Sequence, residues 1–478
     1  MANFNTSSQT KSFLEGPILR PLLIFAIPLV LANILQAGYQ MTDSFWVGRI
    51  GAAAVAAVSV STPVTFLLIA LGTGLAIAGS TLIAQYAGAG NRSMVSHVAA
   101  QTILMVVVVS AVLGTLGYFF APALLHLMGV APDVYPGALG FMRVSFTALI
   151  FNFTFFVFQA IMRGIGNATL PIYIVLGTVL LNFALDPLFI FGWGPIPGFG
   201  VMGAALATLG TQSIAAIVGI VILRIGKNGI YVQQKDFKPD MAYIKRAFFL
   251  GFPASIEQSM RALGLTVMTF LIASFGTLAI AAFGIGSTIL QVVMIPALGI
   301  SMAVSVLAGQ NIGANKMDRA DRIGKLGAWL SFGILTSLGV VVFLFAPSII
   351  SFFVPSSPDV VAEGGIFLRI MALSWGFMGV QFGLTGILRA SGNMTTAMLL
   401  TLISQWVLQF PLAYVLSKHT ALGIAGLWWA FPISNIIIAL VTICIYAKGN
   451  WKKKRIIESE DTVEKKVSEE IFIEEGVR

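Results

Sequence analysis

Arg163-Gly-Ile-Gly-Asn167 returns as Arg389-Ala-Ser-Gly-Asn393, and the register of that recurrence decides how the chain is built. Arg143 falls on Arg369 at the same offset of 226 residues. One residue shorter, Pro28 falls on Pro253, Gly51 on Gly276, Gln85 on Gln310 and Gly88 on Gly313. A register held across most of a half marks an internal duplication of the kind found in membrane transporters. The repeated unit is apolar: of 478 residues, 57% are hydrophobic and 10% charged, outside the range of water-soluble domains. Apolar runs of about 18 residues or more, enough to cross a bilayer, recur along nearly the whole length.

Twelve such spans are read near 18–45, 53–82, 94–120, 136–160, 168–191, 200–224, 242–272, 279–308, 322–345, 364–388, 395–416 and 422–447. Six spans return a chain to its starting side, so the two copies share an orientation. The expectation is an all-α membrane protein with twelve transmembrane helices in two six-helix lobes. They are related by a pseudo-two-fold axis along the membrane normal, with a cavity between them. The boundaries expected are an N-terminal segment 1–16, a first lobe 17–226, a basic linker 227–241, a second lobe 242–447 and a tail 448–478.

The net charge of +9 would suit a nucleic-acid binder, but its distribution points to a membrane. With the amino terminus inside, inner segments hold Lys11, Arg20, Arg92, Arg163, the run Arg224 to Arg246, Lys316 to Lys325, Arg389 and the cluster Lys448 to Arg455. Outer loops hold only Arg49 and Lys418. That is the positive-inside bias, which places both termini in the cytoplasm. Met1 to Glu15 lacks a basic n-region and a small-residue cleavage site, so the first span is expected to stay as an anchor. Enzyme signatures are weak. Gly198-Phe-Gly-Val-Met-Gly203 matches a dinucleotide fingerprint but opens a membrane span with no βαβ unit, there is no phosphate-binding G-x-x-x-x-G-K-[ST] loop, and His97, His126 and His419 are too scattered for a metal site.

Polar residues inside the spans carry the functional signal. Asp186 lies in Leu181-Asn-Phe-Ala-Leu-Asp-Pro-Leu-Phe-Ile-Phe191, where an ionised group is costly and is read by default as a proton or ion site. Asp43 on the first span is its obvious partner. At 1.5 Å per residue Asp186 lies about 24 Å beyond a span entrance near Leu170, and Asp43 about 29 Å beyond one near Ile24, against a hydrocarbon thickness of about 30 Å. Both acids therefore belong to the outer half. Gln36, Gln40 and Asp43 share one helix stripe, joined by Asn33, while Asn182 shares a face with Asp186. Gln159 on the fourth span is a further cavity candidate. Asp43 also reads as the cap of a following segment, and Asp186 as a structural hydrogen-bonded acid. Glu257 and Arg261 on the seventh span form an i, i+4 pair, read either as self-neutralising or as part of a binding site. Pro28, Pro187 and Pro253 free carbonyls four residues back, and can kink their helices for motion or statically.

The twelve spans, the duplication, Ile27-Pro28 followed by Met41-Thr-Asp-Ser-Phe-Trp-Val-Gly48, the turn at 163–167 and Leu181-Asn-Phe-Ala-Leu-Asp-Pro187 together resemble the MATE (multidrug and toxic compound extrusion) transporters. The likeness is to the prokaryotic DinF-like and NorM-like members and covers about residues 14 to 447. It implies no enzyme and no cofactor. It implies a secondary antiporter that exports cationic or amphipathic organic compounds in exchange for protons or sodium ions, through a V-shaped pair of lobes that open alternately. Asp43, Asn182 and Asp186 match the coupling-cation residues, with Asp43 and Asp186 the metal-contacting pair if the ion is sodium, and Pro28 stands at the bend of the first helix. Some members hold a second-lobe cation site with acids on spans seven and ten. Here Glu257 is present, but the tenth span carries no carboxylate after Glu363. The partners expected are substrate and lipid, without nucleic acid, around a monomer in a bacterial or archaeal plasma membrane. The rival reading is a lipid-linked oligosaccharide flippase of the same superfamily, whose cavity would need several basic residues for a diphosphate.

Overall fold

The computed structural model describes residues 12–226 and 229–457. Most of the expected N-terminal segment, Lys227 and Asn228 of the linker, and the tail beyond residue 457 lie outside the described residues. The first lobe runs α1 (Leu19–Gly48), α2 (Ala52–Gly88), α3 (Arg92–Leu127), α4 (Tyr135–Gly164), α5 (Thr169–Phe191) and α6 (Val201–Ile225). The second runs α7 (Met241–Ala273), α8 (Thr277–Gly313), α9 (Met317–Phe353), α10 (Pro358–Ala372), α11 (Trp375–Ala390), α12 (Met394–Lys418) and α13 (Ile424–Ala447). A two-residue hairpin, Gly192–Trp193 against Ile196–Pro197, joins α5 to α6.

Ten of these helices are long and apolar enough to cross a membrane, and α10 with α11, bent by 48°, makes an eleventh span. The twelfth is α7. It carries Lys245, Arg246, Glu257 and Arg261, which lower its apolarity, yet it packs its length against α2 and α12. Protein neighbours, rather than lipid, therefore receive much of its surface. Large apolar side chains face outward elsewhere: Phe119, Leu127, Phe270, Trp329 and Phe352 are all more than two-thirds exposed. In water such a surface would aggregate, and in a bilayer it is solvated by acyl chains. This is an integral membrane protein.

The duplication is visible in the packing. α1 packs on α5, α2 on α4, α4 on α6 and α5 on α6, and the same pattern returns as α7 on α12, α8 on α10 and α11, α11 on α13 and α12 on α13. Even the cation–π pairs repeat, with Arg143 5.0 Å from the Tyr118 ring centre and Arg369 5.9 Å from that of Phe343. Gly51 and Gly276 open α2 and α8 with φ of 135° and 97°, which a side chain would resist.

The lobes meet by exchange: α1 lies on α8, α7 on α2, and α2 crosses α8 near the axis. At the end that carries both described chain ends, Gln85 Nε2 donates to the backbone oxygen of Ala390 at 2.7 Å, and Gln310 Nε2 to that of Gly164 at 2.9 Å. Both glutamines are fully buried. The chain ends pack over this crossing. Arg319 donates to the carbonyls of Phe13, Glu15 and Gly16, and Arg455 to that of Gly313. The linker is held by Gln101, which donates to Asp236 and Lys238 carbonyls and accepts from the Asp240 N–H.

Pro28, Pro187 and Pro253 each sit inside a continuous helix, each removing its own backbone donor. Among the described residues the sharp break between two spanning helices falls between α10 and α11, at Leu373-Ser374.

Candidate functional site

The amphipathic stripe of α1 turns inward at its second half and meets α5 and α6. Asn182 and Asp186, one turn apart on α5, are both fully buried, and Asn182 Nδ2 donates to Asp186 Oδ1 at 3.2 Å. Asp43 arrives from α1 and interacts with Asp186, Asn182 and Thr208, the Thr208 hydroxyl lying 3.5 Å from its Oδ2. Tyr39, one turn before Asp43, shares a 2.9 Å hydrogen bond with Thr211. The two carboxylates that the sequence separates by most of a lobe therefore form one cluster.

The hydrogen bonding of that cluster is incomplete. Asp43 Oδ1, Asn182 Oδ1 and Asp186 Oδ2 are buried without a hydrogen-bond partner. Buried oxygens in this state are costly unless something supplies positive charge or a donor. A proton or a monovalent cation would do so. The donor set, two carboxylates with amide and hydroxyl oxygens, is of the hard oxygen type that alkali and alkaline-earth ions prefer. Among the described residues no group of three or more His, Cys, Asp or Glu could hold a metal ion, so the set has fewer charges than a typical multivalent site.

Beside the cluster opens a cavity of about 330 Å³. Gln36, Gln40, Asp43 and Ser44 line it from α1, with Phe66, Asn152, Phe156 and Gln212 opposite. It reaches Val47, in the last turn of α1, so it lies toward the end of the bundle opposite the chain ends. The other sequence candidates sit elsewhere. Asn33 donates to Leu29 O of its own helix at 2.8 Å, as a lone amide on a membrane helix does when no other partner is near, and neither it nor the half-buried Gln159 lines this cavity. Pro28 lines a separate 390 Å³ recess near the chain start, with Phe13, Pro17 and Arg20.

Glu257 is also corrected. It is buried at 1% exposure, and its Oε1 accepts from Arg389 Nη2 at 2.5 Å, Arg261 Nη2 at 3.3 Å and Thr401 Oγ1 at 3.3 Å. Arg389, read from sequence as an inner-loop charge, turns back into the second lobe and is itself buried. The carboxylate is thus held by two guanidinium groups, and Glu363, the remaining acid of the tenth span, accepts from Trp428 Nε1 at 2.7 Å. A second-lobe cation site is not assembled from these acids.

The residues that sequence reasoning missed are Tyr39, Thr208, Thr211 and Asn152. Tyr39 carried a signal, since it stands four residues before Asp43 on the same stripe. The threonines did not, because hydroxyls on membrane helices usually bond their own backbone, as Thr211 also does to Thr208 O.

Comparison with known proteins separates the two halves at the same place as the repeat. The MatE family pattern matches residues 28–188 and again 253–415. This chain belongs to the MatE family. It is 31% identical over 453 residues to "Probable multidrug resistance protein YoeA" of Bacillus subtilis, covering 94% of this chain and 97% of that one. It is 27% identical to "Probable multidrug resistance protein NorM" of Thermotoga maritima, covering 93% and 96%. A solved structure of MATE in complex with MaL6 superposes with a TM-score of 0.86 at 23% identity, over 94% of this chain and all of that one, which shows the shared two-lobe fold. Members of the MatE family are multidrug efflux transporters, not enzymes.

Proposed function

We propose that this MatE protein exports cationic or amphipathic organic compounds in exchange for protons or sodium ions, by alternating access of a cavity between two lobes, 17–226 and 242–447. The observation that carries the reading is the cluster of unpartnered oxygens on Asp43, Asn182 and Asp186 beside a cavity toward one end. With both acids ionised, two like charges in a low-dielectric site repel, and the site attracts an organic cation or the coupling ion. Binding of a proton or sodium ion removes the repulsion, draws α1 toward α5 and weakens the hold on the exported compound. Apolar and aromatic cavity walls, with Phe66, Phe141 and Phe156 among them, discriminate poorly between shapes, which supports broad selectivity. One acid, Asp43, and four amides, rather than several basic groups, line the first-lobe cavity, which argues against the flippase reading.

The charge asymmetry supports an orientation in the plasma membrane with the crossing of Gln85 and Gln310 on the cytoplasmic side, and the protein is read as working as a monomer. The structure then rests closed inward, with the coupling cluster toward the outside. The test is efflux of ethidium from proteoliposomes driven separately by an imposed pH gradient and by an imposed sodium gradient. Transport with either gradient supports the reading, and Asp186→Asn should abolish it. Ethidium efflux that ignores both gradients, or that survives in Asp186→Asn at the wild-type rate, overturns it.

A further inference from the structure

The second lobe carries a buried charge imbalance that the coupling scheme does not use. Glu257 contributes one negative charge, and Arg261 and Arg389 contribute two positive ones, all converging on Glu257 Oε1. Guanidinium groups do not deprotonate in proteins, so one positive charge is left over. The structure also shows where it goes. The Arg389 side chain is 10% exposed and the Arg261 side chain 27%, and Arg261 lies 5.3 Å from the centre of the Phe382 ring, on the wall of a cavity of about 150 Å³.

That cavity sets polar groups within a mostly apolar wall. Gln291, Gln381 and Asn435 line it, with Met294, Met371 and Met378 as its apolar part. No carboxylate lines it among the described residues. The α12 helix opens into a π turn over Ile403–Gln409, which carries Ser404, Gln405 and Gln409 to the wall. Such single-turn widenings cost helix regularity and cluster at functional sites. Gln405 Oε1 is buried there with no partner, an acceptor ready for a hydroxyl or amide N–H on a guest. The first-lobe cavity presents a carboxylate, Asp43, and the second-lobe cavity presents a guanidinium.

We propose that the second-lobe cavity binds the oxyanion group, carboxylate or phosphate, of an organic solute or lipid through Arg261, with amides and methionines holding the attached body. Arg261 is suited to this because part of its planar fork stays available after Glu257 is met. The inference goes beyond cation coupling and does not depend on it.

The experiment uses three probes of one shape: 4-fluorobenzoate, 4-fluorobenzamide and 4-fluorobenzylammonium, followed by ligand-observed fluorine NMR with the full chain in phosphatidylcholine nanodiscs. A charge-assisted hydrogen bond predicts that benzoate binds roughly tenfold or more tightly than benzamide, and that benzylammonium binds more weakly still. Arg261→Gln should abolish the preference while leaving the Glu257 to Arg389 pair intact, and Arg261→Lys should retain part of it. Asp186→Asn should leave benzoate binding unchanged, which keeps this result separate from any failure of the antiport reading. Repeating the titration with phosphatidylglycerol present assigns the source: displacement of benzoate names a lipid phosphate as the occupant, and persistence names a solute. Equal affinities for benzoate and benzamide in the wild-type protein overturn the proposal whatever the variants do, as does full benzoate binding in folded Arg261→Gln.

Discussion

Gly88→Ala is the most direct probe of the crossing that joins the lobes. A methyl carbon on Gly88 would lie 1.8 Å from the backbone oxygen of Gln310, and one on Gly313 would lie 1.9 Å from that of Gln85. Ordinary contact begins near 3.4 Å, so α2 and α8 must part by about 1.6 Å, the difference between 3.4 and 1.8 Å. The obstructing atom is backbone and has no rotamer to escape into, which places the cost at the upper end of overpacking, about 3 kcal/mol. The same shift stretches the 2.7 Å and 2.9 Å bonds of Gln85 and Gln310 past hydrogen-bonding range, each worth about 1 kcal/mol. At about 1.4 kcal/mol per factor of ten, the closed crossing should lose at least about a hundredfold in population relative to an open one. Nitroxide labels at Ser93→Cys and Asp318→Cys, exposed and repeat-related in the first turns of α3 and α9, report this by pulsed electron resonance in a Cys444→Ala background. The distance distribution should gain a longer component. Adding Gly313→Ala should change little more, because a crossing already parted accommodates the second methyl. A distribution unchanged by Gly88→Ala, with normal efflux, would show that this crossing is not the seal between the lobes.

Other expectations follow from the same geometry. Thr208→Val removes a donor that stands 3.5 Å from Asp43, a long bond worth under about 1 kcal/mol, so gradient-driven efflux should slow by less than about fivefold. A loss as complete as that of Asp186→Asn would make Thr208 part of the coupling set. Glu257→Gln strands the buried Arg389 guanidinium beside the half-buried Arg261 one and should destabilise the second lobe by about 3 kcal/mol, seen as a lower unfolding midpoint in detergent, whereas Arg261→Gln leaves a neutral pair and should cost much less. Asp240 caps α7 through the Tyr243 N–H and pairs with His97 at 3.1 Å. The cap first, and His97 after it, holds its carboxyl below the usual carboxylate range. Stabilisation by a depressed carboxyl is present above the unfolded value near 3.9 and lost as pH falls through the folded one. Amide exchange at Tyr243 should therefore stay slow from pH 8 to 5 once corrected for intrinsic rate, and protection should fall only below about pH 4. Loss of protection already between pH 8 and 5 would show that the Asp240 carboxylate does not hold this cap.

How much of this was legible depends on the kind of force involved. Span number, the duplication and the membrane environment are carried by the chain itself, because a bilayer demands long apolar runs with internally satisfied backbone and leaves them visible in composition. The α1 stripe and the Asn182 to Asp186 spacing were legible for the same reason: polar groups are rare in spans and helical periodicity puts them on one face. Pairing of groups far apart in sequence was not. That Asp43 meets Asp186 was inferred from depth, but Thr208 and Thr211 completing the site follow from how α6 lies against α1. Arg389 looked like one more inner-loop charge, and only the tertiary packing of the second lobe brings its side chain onto Glu257. The sequence alone determined a twofold, twelve-span membrane transporter with acids in its first lobe. The tertiary structure decided the sign of charge on each cavity wall, since a net charge is a property of which side chains are brought within a few ångströms of one another in a low dielectric, and no local pattern encodes that.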